Sequence, residues 1–230
     1  TASCPPPHAA TRSPTRCIVA QFAPPILAAA ASPRSPHLHP PPRTPHPIVL
    51  RTRLESLLTK AATLRIAVIG DAMLDVYLRG DVDRVSPEAP VPVVRVQERR
   101  DALGGAANVA QNVAALGARV EMVAVIGEDP AGARLRQLVS ALGGVTRGLV
   151  SAQRPTTTKT RVLARSQQLI RVDEEVDADC TGGEVEALLL AVDRAVADAD
   201  AVILEDYNKG VLVSAVNERA IARANHRGIP

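Results

Sequence analysis

The stretch Leu103–Gly127, LGGAANVAQNVAALGARVEMVAVIG, decides the fold, because it reads as a glycine loop, a helix and a buried strand in one unbroken run. Ala106, Val109, Ala110, Val113 and Leu116 fall on one face at helical spacing. Gly117 stops the helix, and Val120–Ile126 has the length and apolarity of a central strand. Gly104 and Gly105 at the helix N-terminus let a ligand approach bare backbone N–H groups, with Asn108 aimed at the same space from the first turn. The plainer reading of the glycine pair is turn geometry alone.

Upstream, Arg65–Gly70 (RIAVIG) reads as the first central strand. Asp71 and Asp75 follow it directly, and ligands of open α/β sheets gather at the carboxyl ends of the strands. A carboxylate there can accept two hydrogen bonds from a diol, or simply cap the turn. Between Tyr77 and Val96 short alternating pieces are broken by Ser86-Pro87 and Ala89–Pro92, which predicts a small flap of edge strands. Downstream the spacing predicts a loop over Gly127–Gly132 and a helix over Ala133–Leu142 that buries Leu135, Leu138, Val139 and Leu142. More flap strands are expected over Thr156–Asp173. A helix over Glu184–Ala197 follows, striped by Val185, Leu188, Leu189, Val192 and Val196. Val202–Leu204 is a further central strand ending at Glu205 and Asp206, and Ser214 can cap a last helix to about His226.

Composition divides the chain. Up to Leu50 there are thirteen prolines and no acidic residue, so residues 1–62 are read as a disordered Pro/Ala/Arg-rich leader, with a short linking helix over Leu54–Ala62. It has the Arg- and Ser-rich, acid-free make-up of a transit peptide; upstream sequence translated from a misplaced start, or a fragment boundary, is the alternative. Seven Lys and Arg against one Glu give residues 1–60 a net charge of +6, and residues 61–230, with 20 basic and 23 acidic side chains, have −3. The high pI therefore belongs to the leader. One Phe, two Tyr and no Trp offer few stacking platforms, so no nucleic-acid partner is expected. Cys4, Cys17 and Cys180 share no metal or redox spacing, which makes a reduced cytoplasmic protein the expectation. The apolar run Ile26–Ala31 is too short to cross a membrane, and no membrane partner is expected.

The spacing Gly104-Gly105-Ala106-Ala107-Asn108, then Ala110, Gly117 and Gly127, resembles the first signature of ribokinase-like (phosphofructokinase B type) carbohydrate kinases. Within that superfamily SPEAPVPVV (Ser86–Val94), TKTRVLARSQQLIRVD (Thr158–Asp173) and DYNKG (Asp206–Gly210) resemble the bacterial heptose 7-phosphate kinases. Four motifs in family order, from about Arg65 to Pro230, make the likeness specific. The resemblance implies a three-layer α/β/α sandwich with a small β flap that closes over the sugar and pairs two subunits as a homodimer. It implies ATP and Mg²⁺ as cofactors, a sugar phosphate as acceptor and a place in lipopolysaccharide-core synthesis. A nucleotidyltransferase domain follows on the same chain in some members. The family pattern also calls for a Gly-Ala-Gly-Asp loop that binds the ATP phosphates and carries the catalytic aspartate. That loop does not occur in these 230 residues. The expectation is that it lies beyond Pro230, that residues 63–230 form the N-terminal part of the kinase domain, and that the chain alone turns over no substrate.

By the same resemblance Asp75 grips sugar hydroxyls, helped by Asp71, Gly104, Gly105 and Asn108, and Asp206 lies near the sugar. Lys209, Lys159, Arg161 and Arg171, with Gln168, are candidates for the substrate's 7-phosphate, since a sugar phosphate needs a cationic partner. Strand alternation puts Lys159, Arg161, Arg165 and Arg171 on one face; the alternative is a solvated charged edge that guards against aggregation. His226 reads as compensation of a helix dipole. Another ribokinase-family sugar or nucleoside kinase, or a non-catalytic sugar-binding fragment, stays open. A nicotinamide oxidoreductase does not fit, because GDAMLD, and not a G-x-G-x-x-G turn, follows the first strand.

Overall fold

The computed structural model describes residues 47–165 and 167–230, so the leader expectation over residues 1–46 lies outside the described residues. Helix α1 spans Pro47–Ala61, starting a full two turns earlier than the linking helix expected from Leu54. Proline at the first helical position, followed by a stretch free of glycine, accounts for the earlier start.

Four parallel strands make the central sheet: β1 (Arg65–Gly70), β4 (Arg119–Gly127), β5 (Val145–Ala152) and β8 (Ala201–Glu205), in the order β5-β4-β1-β8. Residues alternate across it. Ile66, Val68, Val120, Met122, Ala124 and Ile126 pack against α2 (Ala106–Ala115) and α3 (Pro130–Ala141), while Ala67, Ile69, Val123 and Val125 pack against α4 (Gly183–Ala197) and α5 (Ser214–Arg227). The result is the expected three-layer α/β/α sandwich. Its strands are apolar on both faces because helices cover both.

The flap is a second, mixed sheet in the order β3-β2-β6-β7, from β2 (Ala72–Val85), β3 (Pro92–Gly105), β6 (Thr158–Ala164) and β7 (Gln167–Glu174). Two strands of 14 residues replace the expected short pieces. They tolerate Gly80 and the charged run Gln97–Asp101 because ladder pairing from Ala72↔Gly105 to Val85↔Pro92 fixes the backbone. The expected glycine loop is therefore the end of a strand: Gly104 and Gly105 pair with Met73 and Ala72, and α2 starts at the next residue.

Other boundaries move for local reasons. Helix α3 begins at Pro130, not Ala133, since the Asp129 side chain accepts the Gly132 N–H and Pro130 takes the first helical position. In α2 it is Ala107 that is buried, and Leu116 lies exposed at the C-terminal end. Strand β5, interrupted by Thr146, Arg147 and Gly148, carries too weak a pattern to read from sequence. Ser214 is the first residue of α5 and does not cap it; Val213 holds that position without a side-chain bond. Arg165 sits in the β6–β7 turn at φ 54°, off the strand face assigned to it.

Candidate active site

The carboxyl ends of β1 and β8 meet the root of the flap, and Asp71 ties them together. Its buried side chain accepts the N–H groups of Tyr207 (2.8 Å) and Lys209 (3.0 Å) on Oδ2 and of Val211 (3.1 Å) on Oδ1. Its backbone joins the same knot: its N–H donates to Glu205 and its carbonyl accepts from Ala106 at the start of α2. With the N–H groups of Tyr207, Lys209 and Val211 on its buried oxygens, Asp71 organises the site.

Asp75 lies four residues further along, on β2, level with Ala102 and Lys159. Its Oδ1 accepts from Arg161 Nη1 at 2.6 Å, and Arg161 also stacks its guanidinium 5.3 Å from the Tyr77 ring centroid. Burial works against the Arg161 charge, but the Asp75 bond and charge outweigh it and hold its pKa above the ordinary value. Gly104 leaves Asp75 room: a Cβ there would stand 2.8 Å from Asp75 Oδ2. Gly105, at φ 54°, lets the chain turn into α2 with the Asp71 carbonyl only 2.3 Å from where a Cβ would sit. Asn108 is exposed in the first turn of α2, and its amide has no partner among the described residues. Asp206 is exposed at the tip of β8 and folds back to accept the Asn208 N–H at 2.7 Å.

Of the cations expected to meet a phosphate, Lys159 and Arg171 stand with Arg161 on one face of the flap and Lys209 on the loop after β8, each already paired. Lys159 Nζ contacts Asp173 (3.1 Å) and Glu175 (2.7 Å), and Arg171 contacts Asp173 (2.9 Å). Lys209 Nζ contacts Glu175 (3.0 Å) and Asp177. Burial would raise the Asp173 carboxyl, but Lys159 and Arg171 hold it below its usual range; the Lys159 hydrogen bond, then that of Lys209, does the same for Glu175. Bonding to Asp177 and Glu175 raises Lys209. A bulge in the β6–β7 pairing sets Gln168 opposite Leu163, on the face of Arg161. It is four residues, about 13 Å, along the flap from the Asp75 row.

Sequence reasoning missed three groups here. Glu205 is buried at the end of β8; burial raises its pKa despite a hydrogen bond from Tyr207, whose own hydroxyl is raised by burial and then by Glu205. The signal was an acidic residue closing an apolar strand. Glu175 and Asp177 carried no signal, because their role depends on where the segment after β7 runs. Arg154 pins that segment by donating to the Val176 and Ala178 carbonyls and to Cys180 Sγ.

A family model described as pfkB family carbohydrate kinase matches residues 63–229. The chain belongs to this family. The bifunctional protein HldE of Azorhizobium caulinodans is 47% identical over 176 residues, 76% of this chain and 37% of that protein. The D-beta-D-heptose 7-phosphate kinase of Bordetella bronchiseptica is 53% identical over 154 residues, 66% of this chain and 48% of that protein. The pfkB chain thus spans less than half the length of these relatives. Among solved structures, a carbohydrate kinase from Agrobacterium tumefaciens (TM-score 0.51, 20% identity, 73% of this chain and 52% of that one) shares the fold. So does the 2-dehydro-3-deoxygluconokinase of Thermotoga maritima (TM-score 0.52, 17% identity, 72% and 49%).

Among the described residues no helix is long and apolar enough to cross a membrane, and no three His, Cys, Asp or Glu side chains are grouped to hold a metal ion.

Proposed function

We propose that this chain forms the acceptor half of an ATP-dependent sugar kinase whose acceptor is D-glycero-D-manno-heptose 7-phosphate, phosphorylated on its C1 hydroxyl in the route to ADP-heptose and the lipopolysaccharide core. The observation that carries the reading is the pairing of Asp75 with Arg161 beside the bare backbone of Gly104, facing a lysine-bearing loop clasped by Asp71. A carboxylate that accepts from a diol and cations that meet a phosphate are what a sugar phosphate requires. In this reading Asp75, Gly104, Gly105, Asn108 and Asp206 hold the polyol. Lys159, Arg161, Arg171 and Lys209 serve the phosphate, with Gln168 at the margin.

Among the described residues there is no Gly-Ala-Gly-Asp loop and no group of three His, Cys, Asp or Glu that could hold a metal ion. Bound Mg-ATP would supply the transferred phosphoryl group, and what this chain contributes is orientation of the acceptor hydroxyl and exclusion of water by the flap. These 230 residues alone are accordingly expected to show no kinase turnover; ATP-dependent phosphorylation by the purified chain would overturn that. The outer face of the flap leaves Ile170 and Val172 exposed, which favours homodimerisation through it. The protein is read as cytoplasmic, with no nucleic-acid or membrane partner.

Calorimetric titration with the heptose 7-phosphate, the dephosphorylated heptose, ribose and a nucleoside tests the assignment. Preference for the 7-phosphate is expected. Tighter binding of an unphosphorylated sugar or a nucleoside would move the chain to another branch of the family.

A further inference from the structure

The ion pairs on the inner face of the flap form a closed ledger. Four cations, Lys159, Arg161, Arg171 and Lys209, face four carboxylates, Asp75, Asp173, Glu175 and Asp177. The cations a phosphate needs are present, and each is already paired.

One carboxylate differs from the rest. Asp75 belongs to the polyol side and Asp173 sits within β7. Asp177 is exposed and, among the described residues, pairs with Lys209. Glu175 divides its two oxygens between elements: Oε2 to Lys159 on β6 at 2.7 Å, Oε1 to Lys209 on the loop after β8 at 3.0 Å. Two ammonium groups held by two oxygens of one anion is the arrangement a phosphate would itself adopt. Lys159 is moreover the cross-strand neighbour of Asp75, so this anion seat adjoins the diol-gripping carboxylate.

We propose that Glu175 is a stand-in anion that occupies the phosphate seat between Lys159 and Lys209 until the phosphate of the substrate displaces it. This rests on reading the site as one for a sugar phosphate. The backbone just beyond Glu175 is pinned, with the Val176 and Ala178 carbonyls bound by Arg154 and the Cys180 N–H bound to Gly210, so the exchange needs only a side-chain rotation. A dianion with three acceptor oxygens outcompetes a carboxylate with two for a pair of lysines. A neutral sugar offers nothing that repays opening the Glu175 bridge. Glu175 thereby competes with the phosphate alone, lowering the affinity for it without touching that for a neutral sugar, and it keeps Lys159 and Lys209 bridged to each other when the site is empty.

The test uses the full chain and calorimetric titration with heptose 7-phosphate and with the dephosphorylated heptose. Glu175→Gln keeps the shape and removes the charge. It is expected to bind the 7-phosphate at least about fivefold more tightly than the wild type, with the dephosphorylated heptose unchanged within about twofold. Glu175→Asp is too short to bridge both lysines and is expected to fall between; it carries the test should the glutamine variant not fold. If the wild type prefers the 7-phosphate but the variants bind it equally or more weakly, the stand-in role is wrong and the sugar-phosphate reading survives. If neither wild type nor variants distinguish the two heptoses, the reading itself is wrong, and the stand-in role with it.

Discussion

Replacing Asp71 should open the DYNKG loop in a graded way that depends on the substitution. Asp71→Ala strands three N–H groups. Those of Tyr207 and Lys209 lie near the surface and rehydrate, costing about 1 kcal/mol each; that of Val211 is buried and costs about 2–3 kcal/mol, for a total of about 4–5 kcal/mol. Asp71→Asn can turn its one carbonyl oxygen toward Tyr207 and Lys209, as Oδ2 does now, but then sets its NH₂ against the Val211 N–H. That single conflict is worth about 2 kcal/mol. Equilibrium urea denaturation gives both values, and amide hydrogen exchange at residues 207, 209 and 211 locates the damage. If both variants stay within about 0.5 kcal/mol of the wild type, a size taken from ordinary surface substitutions, Asp71 does not clasp the loop and the geometry of the whole site is in question.

Three further outcomes follow. Gly105→Ala should destabilise by at least about 2 kcal/mol, because the residue is at φ 54° and its Cβ would press on the Asp71 carbonyl; denaturation measures it. Asp193 bonds Arg219 and Arg223, and those partners lower its pKa against the opposing effect of burial. A lowered folded pKa means stability present above the ordinary value near 3.8 and lost as pH falls through the folded value, so Asp193→Asn should flatten the acid limb of a stability–pH curve and leave neutral pH less stable than wild type. Burial pushes the Cys180 thiol up to about 11. At pH 8 roughly one such thiol in a thousand is ionised, so Cys180 should react with iodoacetamide far more slowly than a free cysteine until the protein unfolds.

The layers were legible because their signals are local. RIAVIG and VEMVAVIG are apolar over a whole strand, and the alanine-rich run after Gly105 has helical spacing, so β1, β4 and α2 follow from neighbouring residues alone. The hairpin of β2 and β3 was not, since Glu98–Asp101 becomes a strand only through pairing with Val76–Arg79. At the site, Asp75, the two glycines and Asn108 were legible as a pattern, and the structure gathers them at one sheet end. The clasping role of Asp71 was not legible, because its three partners lie 136 to 140 residues away. Lys159 and Arg171 share the face that alternation assigns them and Arg165 does not, and no signal in the sequence shows that Lys159, Arg171 and Lys209 are paired. Their carboxylates lie on β7 and in the connection to α4, whose path only the fold sets.

The central claim is that one sugar phosphate touches both sides of this cleft. Titrating heptose 7-phosphate into the ¹⁵N-labelled chain and following amide shifts tests it most directly. Saturable shifts are expected at Asp75, Gly104, Gly105, Asn108, Lys159, Arg161 and Tyr207–Gly210 together. Shifts absent there, or confined to the cavity of about 230 Å³ at the opposite end of the sheet beside Arg65, Arg119 and Arg147, would contradict it.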